Sequence, residues 1–170
     1  MTNSIADIEE SDVILVTGSN TTENHPVLSS FMKRAVRKGK KLYLIDPRKV
    51  KLADYAEKWL RPLPGTDIAW INGLMHVILK EGLEDKKFIE DRCENFEELE
   101  KTLKKYTPKH VEKVTGIPAD DIIEVAKAFA AAGAATICYC MGITQHTSGT
   151  DNVKSLANLA MLCGNLGMPG

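Results

Sequence analysis

The chain lacks any apolar run approaching the ~20 residues that a membrane-spanning helix needs, and no charged-then-apolar leader opens it. It lacks an excess of either charge: 22 Lys and Arg stand against 23 Asp and Glu. A dedicated nucleic-acid binder is usually strongly basic, so that class is excluded. No G-x-G-x-x-G occurs, so the dinucleotide fingerprint is missing. No C-x-x-C or H-x-x-x-H occurs either. The four cysteines are Cys93, Cys138, Cys140 and Cys163. Cys138-x-Cys140 has the wrong spacing for the usual zinc or cluster ligands, and the other two lie far off. They read as small apolar thiols buried in a reducing compartment, and no metal site is expected from this chain alone. Repeats, low-complexity tracts and linkers are absent, so 170 residues should form one domain with a sizeable core.

What is present is unevenly spread. Hydrophobic residues at 44% and charged residues at 26% suit an ordinary globular chain. Residues 1–32 hold five acids and no Lys or Arg, whereas 33–61 hold 11 of the 22 basic side chains and three acids. Most of those bases read as a solvated face. Residues 128–170 carry only Asp151 and Lys154, so that stretch should be covered on most sides. Such a stretch at a chain end suggests a piece of a longer protein.

Periodicity organises the chain as alternating strands and helices. Asp12 to Val16 is a continuous apolar run breaking at Thr17-Gly18-Ser19-Asn20, which reads as a buried strand and loop. Residues 26–38 follow a helical pattern opened by Pro26 and stopped by Gly39. Residues 41–45 form a second strand ending in Asp46-Pro47-Arg48, and the long connection makes the two strands parallel. Residues 58–63 read as a short third strand. Pro64-Gly65-Thr66-Asp67 then turns into a helix with Ile68, Ile71, Leu74, Met75 and Ile78 at helical spacing. Short helices are expected at 85–92, 95–105, 108–114 and 118–131, a strand at 135–141, and a last helix from about 150 to 163. The fold class is α/β: a Rossmann-like open, mainly parallel sheet with helices on both faces and a helical insertion at about 84–131.

In open parallel sheets, ligands sit at the C-terminal strand ends, and four such ends carry unusual loops. Gly18-Ser19-Asn20 allows close approach of a phosphate. Asp46, 28 residues after Gly18, ends a strand where a carboxylate can grip ribose hydroxyls, and Arg48 beside it can stack on a base or pair with phosphate. Asp67 at a helix start is ordinarily a cap, for which Thr66 also serves. Alternatively it accepts the adjacent N1–H and N2–H donors of guanine. Met141-Gly142-Ile143-Thr144-Gln145-His146 suits hydrogen bonding to a heteroaromatic ligand, or is a plain strand-to-helix loop. Taken together, the four loops describe a nucleotide lying across the sheet edge.

The segments DVILVTGSNTTENHP (12–26), LIDPRK (44–49), LPGTDIA (63–69) and YCMGITQHTSGTDNVKSLANLAMLCGNLGMPG (139–170) resemble the molybdopterin oxidoreductases. Within them the chain is most similar to formate dehydrogenase catalytic subunits, above all in MGITQHTSGTDNV. The resemblance implies a single α/β domain over 1–170 that binds molybdopterin guanine dinucleotide. In the complete enzyme, molybdenum or tungsten sits between two such dinucleotides, with an iron–sulphur cluster outside this chain. It places Gly18, Ser19, Asn20 and Glu23 at phosphate and ribose, and Asp46, Pro47 and Arg48 at ribose and base. Gly65, Thr66 and Asp67 fall at the guanine, with Met141, Gly142 and Gln145 nearer the pterin and metal. His25, in N-H-P, reads as a packing or supporting residue. The family's cysteine cluster, its metal-ligating cysteine or selenocysteine followed by histidine, and a later arginine segment have no counterpart here. The chain therefore reads as an interior piece, inactive alone, that belongs with the other domains of its catalytic subunit and with electron-transfer subunits. The expected compartment is the cytoplasm, or the periplasm if a twin-arginine leader lies upstream. A generic nucleotide-binding domain of a nicotinamide or thiamine-diphosphate enzyme is the alternative, and an interaction module built on the uncharged 128–170 stretch ranks below it.

Overall fold

The computed structural model describes residues 3–168. Met1, Thr2, Pro169 and Gly170, the extremes of the expected domain and of the 139–170 match, lie outside the described residues. A 3-10 turn at Ala6–Glu9 leads into β1 (Val13–Thr17), a one-turn α1 (Thr21–Asn24), α2 (Pro26–Arg37) and β2 (Lys41–Ile45). A second 3-10 turn (Lys51–Tyr55), β3 (Lys58–Leu60) and α3 (Asp67–Glu81) follow. The chain then runs through α4 (Lys86–Arg92), α5 (Phe96–Leu103), α6 (Pro108–Thr115) and α7 (Ala119–Ala130). It returns to the sheet as β4 (Ala135–Tyr139) and closes with α8 (Met141–Thr144) and α9 (Gly149–Leu162).

All three strand pairings are parallel, in the order β3-β2-β1-β4. The apolar runs of β1 and β2 are continuous because both sheet faces are covered. Ile14, Val16, Leu42 and Leu44 pack with Met32 and Ala35 of α2 on one face. Val13, Leu15, Tyr43 and Ile45 point to the other, against Trp70, Leu74, Val125, Phe129 and Leu159. The whole 84–131 insertion contributes to this second face through Ile89, Leu103, Val111, Ile122 and Val125. Local chemistry sets its boundaries: Asp85 accepts the Phe88 amide at 2.9 Å to start α4, and Thr107 with Pro108 opens α6.

The structure departs from the sequence reading at strand ends. The first strand takes in Thr17, which the apolar run alone leaves in the loop. The third strand stops at Leu60 rather than 63, because Pro62 cannot donate to a ladder. The fourth stops at Tyr139 rather than 141, since the Gln145 amide bonds the Met141 carbonyl at 2.8 Å and turns the segment into α8. The loop after β1 likewise tightens into α1, where the Asn24 amide reaches the Asn20 carbonyl at 3.0 Å. Among the described residues no helix is long and apolar enough to cross a membrane.

Candidate functional site

Strand register makes the site. Thr17 is level with Ile45 and with Tyr139, and Ile45 is level with Leu60. All four strands therefore end at one height, and the four loops singled out in the sequence emerge along one edge. β4 lies beside β1 on the side opposite β2, so chain direction splits between them, the usual place for a ligand in an open parallel sheet.

At that split the backbones of the first and fourth loops touch. The Gly142 amide donates to the Gly18 carbonyl at 3.0 Å. A Cβ on Gly18 would lie 2.7 Å from the Gly142 carbonyl carbon, and one on Gly142 would lie 2.6 Å from the Gly18 Cα. Gly18 also has φ +56°, so glycine is required there on two counts. Behind the contact, the buried Asn152 of α9 donates to the Ile143 carbonyl at 2.9 Å. Gly149 leaves no room for a side chain against the Thr144 carbonyl.

Beyond Gly18, Ser19 is buried and Asn20 donates through Nδ2 to Glu23 at 2.8 Å. Glu23 in turn sits 3.3 Å from the Lys51 ammonium, tying the first loop to the turn after β2. The Asn20 amide first, and then Lys51, hold the Glu23 carboxyl below its ordinary range. Asn20 Oδ1 is buried without a partner among the described residues. A buried polar atom in that state has an acceptor position open to a bound group or water.

Asp46 is 3% exposed at the end of β2. Its Oδ1 accepts the Arg48 amide at 2.8 Å, and its carbonyl accepts the Trp59 indole N–H at 2.8 Å. Burial, aided by the charge of Asp67, raises its carboxyl above the usual value, against the pull of the Arg48 amide and guanidinium. Pro47 and Arg48 are exposed beside it. Gly65 is exposed with open space around it and φ +80°.

Neither Thr66 nor Asp67 caps α3 in the expected way. Thr66 stands at the cap position, but its hydroxyl donates to the Leu63 carbonyl at 2.6 Å. Asp67 instead takes the Trp70 indole N–H on Oδ1 at 3.3 Å, and its Oδ2 lies 4.0 Å from Nε2 of His146. That nitrogen is 2.9 Å from the Gly142 carbonyl. His146 thus bonds within the fourth loop and lies near the third.

The residues expected at the site from sequence therefore share one edge: Gly18, Ser19, Asn20 and Glu23, then Asp46, Pro47 and Arg48, then Gly65, Thr66 and Asp67, then Met141, Gly142 and Gln145. The direct contact ties Gly18 to Gly142, and His146, bonded to that same Gly142, lies near Asp67. Met141 is 59% exposed, and Gln145 is exposed, its amide bonded to the Met141 carbonyl at 2.8 Å. His25 is not packed: it is exposed at the start of α2. It lines an open groove of roughly 470 Å³ shared with Ser19, Thr21, Cys138, Tyr139 and Cys140. His146, Asn152 and Trp59 support the site and were not picked out by sequence. The only signal for His146 was its place in the fourth loop. Among the described residues no group of three or more His, Cys, Asp or Glu side chains could hold a metal ion.

The family model described as "Molybdopterin oxidoreductase" matches residues 1–170. The F420-dependent formate dehydrogenase 1 subunit alpha of Methanococcus maripaludis is 51% identical over 170 residues, 100% of this chain and 25% of that protein. Formate dehydrogenase H of Escherichia coli is 41% identical over 169 residues, 99% of this chain and 24% of that one. Among solved structures, acetylene hydratase from Pelobacter acetylenicus superposes with a TM-score of 0.87 at 28% identity, covering 96% of this chain and 24% of its own. The chain thus spans about a quarter of the length of the curated relatives it matches.

Proposed function

We propose, on the premise that this chain belongs to the molybdopterin oxidoreductase family, that it is the dinucleotide-holding domain of a formate dehydrogenase-like catalytic subunit. Membership of the family implies a molybdopterin cofactor with molybdenum or tungsten. The finer reading is that the cofactor is the guanine dinucleotide in its bis form, that the complete subunit oxidises formate to carbon dioxide, and that iron–sulphur clusters and partner subunits carry the electrons away. When bound, the pterin-held metal supplies the redox chemistry. This chain's residues bind and orient.

The observation that carries the reading is the pair of carboxylates at neighbouring strand ends, Asp46 buried at the end of β2 and Asp67 at the start of α3, which follows β3. Keeping a carboxylate in so buried a position costs stability, which fits a ligand that offers hydrogen-bond donors. Ribose hydroxyls suit Asp46, and the N1–H and N2–H edge of guanine suits Asp67. Gly18, Ser19, Asn20 and Glu23 would face phosphate and ribose, with the unpartnered Asn20 Oδ1 as a further acceptor. Arg48, exposed beside Asp46, would add charge or stacking to the base, with Pro47 against it. Gly65 opens the turn at the guanine, and Thr66 fixes that turn through Leu63. The exposed Met141 and Gln145, with Gly142, would lie toward the pterin. This set of acceptors, with Arg48 beside it, therefore fits a nucleotide-bearing cofactor.

Hydrolysis of the cofactor from the purified complete subunit tests the form assigned. GMP is expected in a ratio of about two per metal atom, as the bis form requires. Pterin released without any guanine nucleotide would sink the assignment.

A further inference from the structure

We propose that the outer edge of β4 takes a further strand from the part of the catalytic subunit outside these 170 residues, and that the same polypeptide closes the groove beside His25. The inference rests on the reading of this chain as one domain of a longer subunit, and not on which loop meets guanine. β4 ends the sheet, with β1 on one side and no strand on the other among the described residues. In a parallel ladder, alternate residues turn their backbone groups toward one neighbouring strand. The Ala134 carbonyl accepts the amides of Asp12 and Val13 at 2.9 and 3.4 Å, so Ala134, Thr136 and Cys138 face β1. Ala135, Ile137 and Tyr139 therefore face outward. The first is satisfied, its amide donating to Asn165 Oδ1 at 3.1 Å. The Ile137 and Tyr139 amides have no partner among the described residues.

Sheet edges left to solvent are ordinarily blunted by shortness, charge or proline. β3, the opposite edge, has all three. It is three residues long, carries Lys58 ion-paired to Asp121 at 2.7 Å, and is soon followed by Pro62. β4 is the five residues Ala-Thr-Ile-Cys-Tyr and has none of them. An uncharged surface adjoins it. Ile5, Val27 and Tyr139, which are 39, 66 and 44% exposed, line the groove of roughly 470 Å³, and no Lys, Arg, Asp or Glu does.

The occupant follows from two observations. This chain matches only about a quarter of each relative, so most of such a subunit lies elsewhere. The first and last described residues also sit together on the β4 side. Asn3 donates through Nδ2 to the Met168 carbonyl at 2.8 Å, and Asn165, three positions earlier, is bonded to the outer edge of β4. Polypeptide joined at either end therefore starts out beside the open edge. A covalently attached segment pairs there at a high effective concentration, which favours it over a second copy or a separate protein.

The test is amide hydrogen exchange in the complete catalytic subunit, resolved by residue with mass spectrometry, at two protein concentrations about tenfold apart. The Cys138 amide, which faces β1, reports whether the strand is folded. The Ile137 and Tyr139 amides should exchange about a hundredfold or more below the unfolded-chain rate, as Cys138 does, and equally at both concentrations. Slow exchange at Cys138 with fast exchange at Ile137 and Tyr139 means an open edge and overturns the proposal. So does protection that fades on dilution, which would make the occupant a second copy. The groove is read by labelling with a maleimide and peptide mass mapping. Val27→Cys should react at least about tenfold more slowly than Arg37→Cys, which is exposed at the far end of α2. Equal rates would mean that nothing covers the groove, and the proposal falls. Neither readout depends on GMP release, so the cofactor reading and this inference can fail separately.

Discussion

Gly18 and Gly142 meet backbone to backbone where the sheet changes direction, the amide of Gly142 donating to the carbonyl of Gly18 at 3.0 Å. Residues 124 positions apart thus form one contact, and it sets the spacing between the loops after β1 and β4. A methyl group on Gly142 would press on the Gly18 Cα and carbonyl, and backbone on both sides cannot yield as a flexible side chain would. Gly142→Ala should lower the stability of the chain by about 1–3 kcal/mol, the cost of overpacking a filled site. Gly65→Ala, with φ +80° but open space, should cost only about 1 kcal/mol from its left-handed backbone. Urea unfolding of the two variants checks the ranking, and equal midpoints would show that the contact is not tight.

Asp46 gives a pH-dependent prediction. Burial raises its carboxyl above the ordinary value of 3.8, so the folded state holds a proton that the unfolded state has already released. Between 3.8 and the raised value the native chain binds more protons, and stability falls as pH rises through that window. The penalty is then constant at neutral pH. Asp46→Asn retains an oxygen for the Arg48 amide and removes the buried charge. It should unfold at a higher temperature than the wild type at pH 7, and the advantage should shrink as pH falls toward 3.8. In the complete subunit the same variant should retain less cofactor. Thermal melts across pH measure the first effect and metal content the second. A variant less stable than the wild type at pH 7 would contradict the electrostatic argument.

Much of this was legible beforehand because it is local. Continuous apolar runs at 13–16 and 42–45 mark strands covered on both faces, and Gly39, Pro26 and Pro108 punctuate helices by rules that act within a few residues. The four loops could be named because each ends a strand. What pairs with what was not legible. Nothing near Asp67 says that its carboxylate takes the Trp70 indole in place of a helix amide. His146 comes near Asp67 from 79 positions away, and only the placement of β4 beside β1 brings it there. His25 reads from the sequence as a packing or supporting residue; it is exposed at the start of α2, so the packing half of that reading does not hold.

The cysteines offer an independent check on packing. Burial pushes the thiols of Cys138 and Cys163 up to about 12, the second aided by Asp85. A raised thiol holds less thiolate at a given pH, and only the thiolate alkylates. All four cysteines are half-buried rather than buried as the sequence suggests, so Cys138 and Cys163 should react with iodoacetamide more slowly in the folded chain than in denaturant, as peptide mass mapping would show. Rapid labelling of either in the native state would mean that the segment around it opens far more often than its packing implies.

Asp67 gives the sharpest test of the site. Its Oδ1 is engaged by Trp70 and its Oδ2 faces His146, so Asp67→Ala removes a held acceptor rather than a mobile surface charge. The loss should have two separable parts. The Trp70 indole, left without Asp67, stays in a core where its residue is 0% exposed, and one unpaired donor there should cost about 1 kcal/mol of folding stability. In the complete subunit, two guanine donors would also be left unpaired, weakening cofactor binding by about 1–3 kcal/mol. Trp70→Phe separates the parts, because it removes the indole donor while leaving the carboxylate in place. If Asp67 serves only to satisfy Trp70, the double variant Asp67→Ala with Trp70→Phe should hold pterin and metal like Trp70→Phe alone. If Asp67 grips guanine, the double variant should lose cofactor as badly as Asp67→Ala does. Pterin and metal content of the three purified subunits decides between the two.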